Sequence, residues 1–141
     1  MACSAEWNVE ADPRLMLVED EEMLGQALTQ WLQDSNVRVV WTRSAEEALQ
    51  VLGDVVFIGS AFDGLLLNSD LPDAMGNRVI HEFRHEFPWA PVALMMGKAD
   101  ISTSVWAKAR QIQILNKPVR TGDLRIWMKH IGVLTEEMAN T

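Results

Sequence analysis

The chain has 141 residues, of which 48% are apolar and 23% charged, and a formal net charge of −8. Those values describe one globular domain with a full-sized core and exclude a disordered chain. The acidic excess argues against an extended nucleic-acid surface and against an anionic membrane as partners. The single cysteine, Cys3, excludes an internal disulfide framework and suits a reducing compartment. No apolar run approaches the ~20 residues of a membrane span, and the N-terminus lacks the basic and apolar regions of a signal peptide, so the expected setting is the cytoplasm.

Residues 1–13 carry no period and end at Asp12-Pro13, which reads as a leader. Arg14-Leu-Met-Leu-Val18 reads as a short buried strand that stops at Glu19-Asp20-Glu21-Glu22. Consecutive acids of this kind suit a solvated helix start, where carboxylates meet the positive end of the dipole. Met23, Leu24, Ala27, Leu28, Trp31 and Leu32 recur at helical spacing and predict one apolar stripe. Asp34-Ser-Asn36 ends that helix, and Val37 to Trp41 is a second strand. Ser44 and Glu47 have the spacing of a capping box, with Ala48, Leu49 and Leu52 as the buried face behind them. Val55-Val-Phe-Ile58 fits either a strand or a continuation of this helix. The leucines of Gly64-Leu-Leu-Leu-Asn68 are the preferred third strand, because a polar loop follows them directly.

The stripe of Val79, Ile80, Phe83 and Phe87 predicts a third helix that ends at Pro88. Pro91 to Met96 reads as a fourth strand, Asp100 to Arg110 as a less regular helix, and Ile112 to Leu115 as a fifth strand closed by Asn116-Lys117-Pro118. Leu124, Trp127, Met128 and Ile131 make a last amphipathic helix, and residues 133–141 read as a short tail. Strands alternating with helices in this way predict an α/β fold: one five-stranded parallel sheet, doubly wound, with helices on both faces. The domain then spans residues 14–132.

In such a sheet the ends of strands one, three, four and five can meet in one crevice. Those ends carry Glu19 and Asp20, Asn68, Met96 and Lys117. Adjacent carboxylates suit a hard divalent cation such as Mg²⁺, and a lysine nearby could partner them or hold a phosphate oxygen. The plainer reading is a set of solvated ion pairs at helix starts. A second motif, His81-Glu82-x-x-His85, has the spacing of a zinc hydrolase, with two histidines on one helix face and Glu82 as base. The same helix spends Val79, Ile80, Phe83 and Phe87 on the core, which leaves the histidine edge to solvent.

Four motifs in order resemble the receiver domain of bacterial two-component response regulators. They are Leu-Val-Glu19-Asp20-Glu, Leu-Leu-Leu-Asn68-Ser-Asp70-Leu-Pro72-Asp73-x-x-Gly76, Pro91-Val-x-x-Met-Met96-Gly-Lys98-Ala-Asp100 and Leu115-Asn-Lys117-Pro118. The resemblance covers roughly residues 13–132 and implies a flavodoxin-like fold and a role in phosphorelay signal transduction rather than an enzyme's. In the family, a histidine kinase passes a phosphoryl group to an aspartate at the end of strand three. An acid pair helps to bind Mg²⁺, and a Thr or Ser and a Lys hold the phosphoryl oxygens. Carried over by motif, Glu19 and Asp20 are the acid pair and Lys117 the lysine.

The phosphoacceptor position, however, falls on Asn68, the Thr/Ser position on Met96, and the aromatic switch position on Ile114. An amide cannot act as the carboxylate nucleophile, and a thioether has no proton to offer a phosphoryl oxygen. With one acid fewer, Mg²⁺ should bind more weakly. The expectation is a pseudo-receiver that acts by protein contacts; the alternative is phosphorylation at a neighbour, Asp70 or Ser69. The implied partners are a histidine kinase or a downstream effector, with a homodimer through helix four, strand five and helix five as a further option. Trp106 and Ile126 are the candidate anchors of that surface. Only a short tail follows Ile131, so the chain is expected to stand alone or to form part of a longer regulator.

Overall fold

The computed structural model describes residues 12–131 except 59–60, 72, 74 and 98–100, and among those it does not describe the side chains of 55–58. Cys3, almost all of the expected leader, the whole of the tail, and Pro72, Lys98 and Asp100 of the motifs therefore lie outside the described residues.

The strands are β1 (Arg14–Val18), β2 (Arg38–Thr42), β3 (Gly64–Asn68), β4 (Val92–Met96) and β5 (Ile112–Asn116). The helices between and after them are α1 (Glu22–Asp34), α2 (Ala45–Ile58), α3 (Gly76–Glu86), α4 (Ile101–Ala109) and α5 (Thr121–Met128), and a 3-10 turn follows at Lys129–Ile131. The strands form one sheet in the order β2-β1-β3-β4-β5, every pair parallel. Leu17 faces Trp41 on one side and Leu66 on the other, and Leu66 in turn faces Ala93. This is the doubly wound α/β sheet that the sequence predicts.

Successive strand residues point to opposite faces, which is why the unbroken apolar runs of β1 and β3 supply two cores at once. Met16, Val18, Leu65 and Leu67 pack with Ala48, Leu52, Val79, Ile80, Phe83 and Ala107, from α2, α3 and α4. Leu15, Leu17, Leu66 and Met95 pack with Leu28, Leu32, Leu124, Trp127 and Met128, from α1 and α5. All five residues of β3 are buried. Asp63 fixes the entry to that strand by accepting the Arg14 N–H at 2.9 Å, while Phe62 packs among Phe83 and Phe87 with ring centres 6.2 and 5.9 Å away.

Several details differ from the expectation. The α1 stripe is narrower than the spacing predicts: Met23 is 79% exposed and Ala27 also faces solvent. The helix meets the sheet through Gly25, where a Cβ would lie 2.0 Å from Cζ2 of Trp41. Of the two readings open for Val55 to Ile58, the structure has the continuation of α2; a helix already nucleated at Ala45 propagates through them at little cost. β2 starts one residue late because the Val37 N–H still bonds to Leu32 O at 3.0 Å, with Asn36 at φ 65° closing the α1 end. At α2 the Glu47 N–H does bond to Ser44 Oγ at 3.1 Å, but the Glu47 carboxylate reaches the Arg43 N–H at 3.4 Å instead of completing the box.

Candidate functional site

The carboxyl ends of β1, β3, β4 and β5 open onto one crevice, at the point where α1 and α3 leave the sheet on opposite faces. Asn68, 3% exposed, stands at its centre. Its Nδ2 donates to Glu19 Oε2 at 3.1 Å and to Asp20 Oδ1 at 2.9 Å. Its Oδ1 accepts from Lys117 Nζ at 2.8 Å and from the Asp70 N–H at 3.1 Å. Charge fixes this orientation of the amide: a flipped side chain would set a carbonyl against two carboxylates and an NH2 group against an ammonium. The structure thus brings together four of the residues singled out from the sequence: Glu19, Asp20, Asn68 and Lys117.

Glu19 is 1% exposed, a buried group rather than the solvated helix-start acid that the acidic run predicts. Its backbone N–H bonds to Thr42 O at 3.0 Å, and its carbonyl accepts the Trp41 indole N–H at 2.8 Å. Oε2 also accepts the Glu21 N–H at 3.0 Å, whereas the buried Oε1 has no partner among the described residues. Burial raises the Glu19 pKa above the ordinary carboxyl value, and the neighbouring Asp20 pushes the same way. The Glu21 N–H and the Lys117 ammonium oppose them. Asp20 itself is exposed.

Lys117 is held by its backbone N–H, which bonds to Met96 O at 2.8 Å, and its bond to Pro118 is cis. Met96 and Ile114 are both half-buried and pack against the α2–α3 side of the core, so apolar atoms fill the places where the family resemblance asks for a hydroxyl and a ring. Met96 shares with Trp106, Leu94, Ile80, Asp70 and Asn77 a groove of about 780 Å³ beside the Asn68 cluster. The two neighbouring acceptor candidates are placed differently from Asn68. Asp70 turns its N–H toward Asn68 in an Asx turn and its side chain is exposed, while Ser69 is half-buried with its N–H on Met95 O at 2.9 Å.

A hard divalent cation takes oxygen ligands. Between Glu19 and Asp20 this pocket instead presents a nitrogen whose two protons already point at both carboxylates. The donor set therefore does not fit Mg²⁺ as it stands; an ion would first have to displace the amide. His81 and His85 lie exposed on α3 with Glu82 half-buried between them, and among the described residues no group of three His, Cys, Asp or Glu side chains is placed to hold a metal.

On the α4–β5–α5 side, Ile126 is 61% and Val105 62% exposed. Trp106 is half-buried, with the Arg110 guanidinium 4.8 Å from its ring centre. Trp106 and Ile126 line different hollows.

Two positioning residues escaped the sequence reading. Trp41 pins the Glu19 carbonyl, and a glycine in mid-helix at position 25 was the available sign that something bulky lay against α1. Asp73 accepts the N–H groups of Ala45 and Glu46 at 3.3 and 2.9 Å and so ties the loop after β3 to the start of α2.

Residues 15–129 match the family described as response regulator receiver domain. No curated protein sequence matches the chain significantly. Among solved structures, the non-phosphorylated HemR receiver domain of Leptospira biflexa superposes with a TM-score of 0.72 at 24% identity, covering 85% of this chain and 94% of that one. A response regulator receiver domain protein of Clostridium thermocellum gives 0.73 at 19% identity over 90% and 98% of the two chains. A response regulator receiver protein of Sinorhizobium medicae gives 0.74 at 22% identity over 86% and 95%. At these identities the structural likenesses establish the fold. No described helix is long and apolar enough to cross a membrane.

Proposed function

We propose that this chain, which belongs to the response regulator receiver domain family, is a pseudo-receiver in two-component signalling, acting through protein contacts without an aspartyl phosphate. The observation that carries this reading is the state of Asn68. A phosphoacceptor needs a free carboxylate oxygen to attack phosphorus. Position 68 offers a neutral amide whose one oxygen is already held by Lys117 and the Asp70 N–H. Lys117 is thereby committed to the amide, and Met96 supplies no hydroxyl to a phosphoryl oxygen.

The partner in this reading is a histidine kinase or a downstream effector, and the contact surface is α4–β5–α5. Ile101 and Val105 of α4 and Ile126 of α5 are exposed apolar side chains of these elements, and β5 is an edge strand. The same surface would serve a homodimer.

Incubation of the purified protein with acetyl phosphate and Mg²⁺, followed by intact-mass measurement, tests the chemistry. The expected result is an unchanged mass, together with no detectable beryllofluoride binding. A stoichiometric gain of one phosphate would overturn the reading, and mapping it to Asp70 or Ser69 would establish the neighbour mechanism in its place.

A further inference from the structure

We propose that the side-chain amide of Asn68 is a built-in substitute for the divalent cation of the acidic pocket, so that Glu19 and Asp20 are held together by the chain's own hydrogen bonds and the site takes up no Mg²⁺. The inference concerns the same pocket as the proposed function and rests on the chain being a receiver, but it does not require that phosphorylation be absent.

Adjacent carboxylates, here the buried Glu19 and the exposed Asp20, repel one another and gain from a positive partner. A cation would supply that partner by sitting between them and taking an oxygen from each. In this chain the Nδ2 group does the equivalent with two protons, one toward Glu19 at 3.1 Å and one toward Asp20 at 2.9 Å. The other end of the amide is equally committed, with Oδ1 accepting from Lys117 and from the Asp70 N–H. Two donors and two lone pairs are the full hydrogen-bonding capacity of an asparagine side chain, and all of it is used in a residue 3% exposed. Mg²⁺ sheds its waters reluctantly and demands near-octahedral oxygen coordination. To enter, it would have to break two of these bonds and would then face a nitrogen with no lone pair to give. The amide, being tethered to β3, competes without the loss of translational freedom that a free ion suffers.

Replacing this amide by a carboxylate reverses the logic. An oxygen in the place of Nδ2 would lie about as close to the Glu19 and Asp20 oxygens as hydrogen-bonded atoms do, with no proton to share at neutral pH, so three like charges would gather around Lys117. N68D should therefore need the metal that the natural sequence does without.

The test compares the full chain with N68D by thermal unfolding in chelator and in excess MgCl2, with calorimetric titration of MgCl2 into each. The natural chain is expected to melt at the same temperature in both buffers and to give no binding heat. N68D is expected to melt several degrees lower in chelator, to recover with Mg²⁺, and to bind it stoichiometrically. Stoichiometric Mg²⁺ binding by the natural chain, or an N68D protein that folds and is indifferent to the metal, would overturn the proposal.

Should N68D fail to fold in either buffer, the side-chain NH2 signals of Asn68 in the natural protein decide. Slow exchange with water and resonance positions unmoved by MgCl2 support the substitution, whereas signals that shift saturably with MgCl2 refute it. Mg²⁺ uptake without phosphate gain would sink this inference alone; phosphate gain from acetyl phosphate would sink the pseudo-receiver reading.

Discussion

Glu19→Gln is the most informative single change in the pocket, because two opposing effects meet at that side chain. The carboxylate is 1% exposed; one oxygen accepts from the Asn68 amide and the Glu21 N–H, and the other has no partner among the described residues. Burial outweighs these favourable contacts and raises the pKa, with Asp20 adding to the shift. A carboxyl whose pKa is raised on folding gives its full support below the unfolded value, near pH 4.3, and loses it as pH climbs through the folded value. Glutamine keeps an oxygen for the two donors, carries no charge, and places an NH2 where the unpartnered oxygen lies.

Leaving a buried polar atom without a partner costs about 1–3 kcal/mol, and that is the range we expect E19Q to recover at pH 8. For a domain of this size it corresponds to a rise in melting temperature of roughly 3–12 °C. Below the ordinary carboxyl range the Glu19 side chain is itself protonated, and the gain should shrink toward zero. Thermal melts of both proteins from pH 4 to pH 8 decide the matter. A gap that stays constant with pH would refute the reasoning by showing that the Glu19 charge is not its source, and an E19Q protein less stable than the parent at pH 8 would refute it by showing that the charge-assisted bonds to Oε2 outweigh the burial of the charge.

Two further substitutions probe the scaffold and the surface. G25A should lower stability by about 1–3 kcal/mol, as overpacking does, even though alanine alone favours a helix by about 1 kcal/mol over glycine, because its Cβ would meet the Trp41 ring at 2.0 Å. The double change G25A/W41L should cost less than the sum of the two single changes, and strict additivity in chemical denaturation would rule out the clash. I126D alters a residue 61% exposed, so the melting temperature should move by less than ~0.5 kcal/mol equivalent while any self-association or effector binding seen by sedimentation weakens; association that survives I126D and V105D together would place the contact surface elsewhere.

The sheet was legible because its information is local. The runs Arg14–Val18 and Gly64–Asn68 are short, apolar and closed by polar residues, and a run of that kind can only be buried on both faces. The stretch Val55–Ile58 was ambiguous for the same reason, since four apolar residues carry no period that separates helix from strand. The acid cluster was legible as a set of positions but not as a bonded network. Glu19 among four acids reads as a solvated helix start; what buries it is an amide 49 positions along the chain, itself bonded to a lysine 49 positions further on. The close approach of α1 to the sheet was likewise unreadable from α1 alone, because it depends on the ring of Trp41 lying against Gly25. Spacing gives the residues of one helix face but not the angle at which a distant side chain sets that helix on the sheet.

The charges of the pocket suggest why these changes belong together. Two carboxylates, Glu19 buried and Asp20 exposed, and one ammonium carry a net charge of −1 around a neutral amide, and burial raises the Glu19 pKa in the direction of the neutral acid. An aspartate at position 68 would make the net charge −2, which a divalent cation would cancel and a single proton would not. On the proposed substitution of amide for cation, asparagine or aspartate at this one position selects between a pocket balanced by hydrogen bonds and one that depends on metal. On the proposed reading the pocket holds no cation, so a phosphoryl group would lack the partner that offsets its own charge, and a hydroxyl at position 96 or a ring at position 114 would have nothing to follow. Met96 and Ile114 both pack on the core side of the sheet, so on the proposed reading all three positions serve packing and hydrogen bonding rather than phosphoryl transfer.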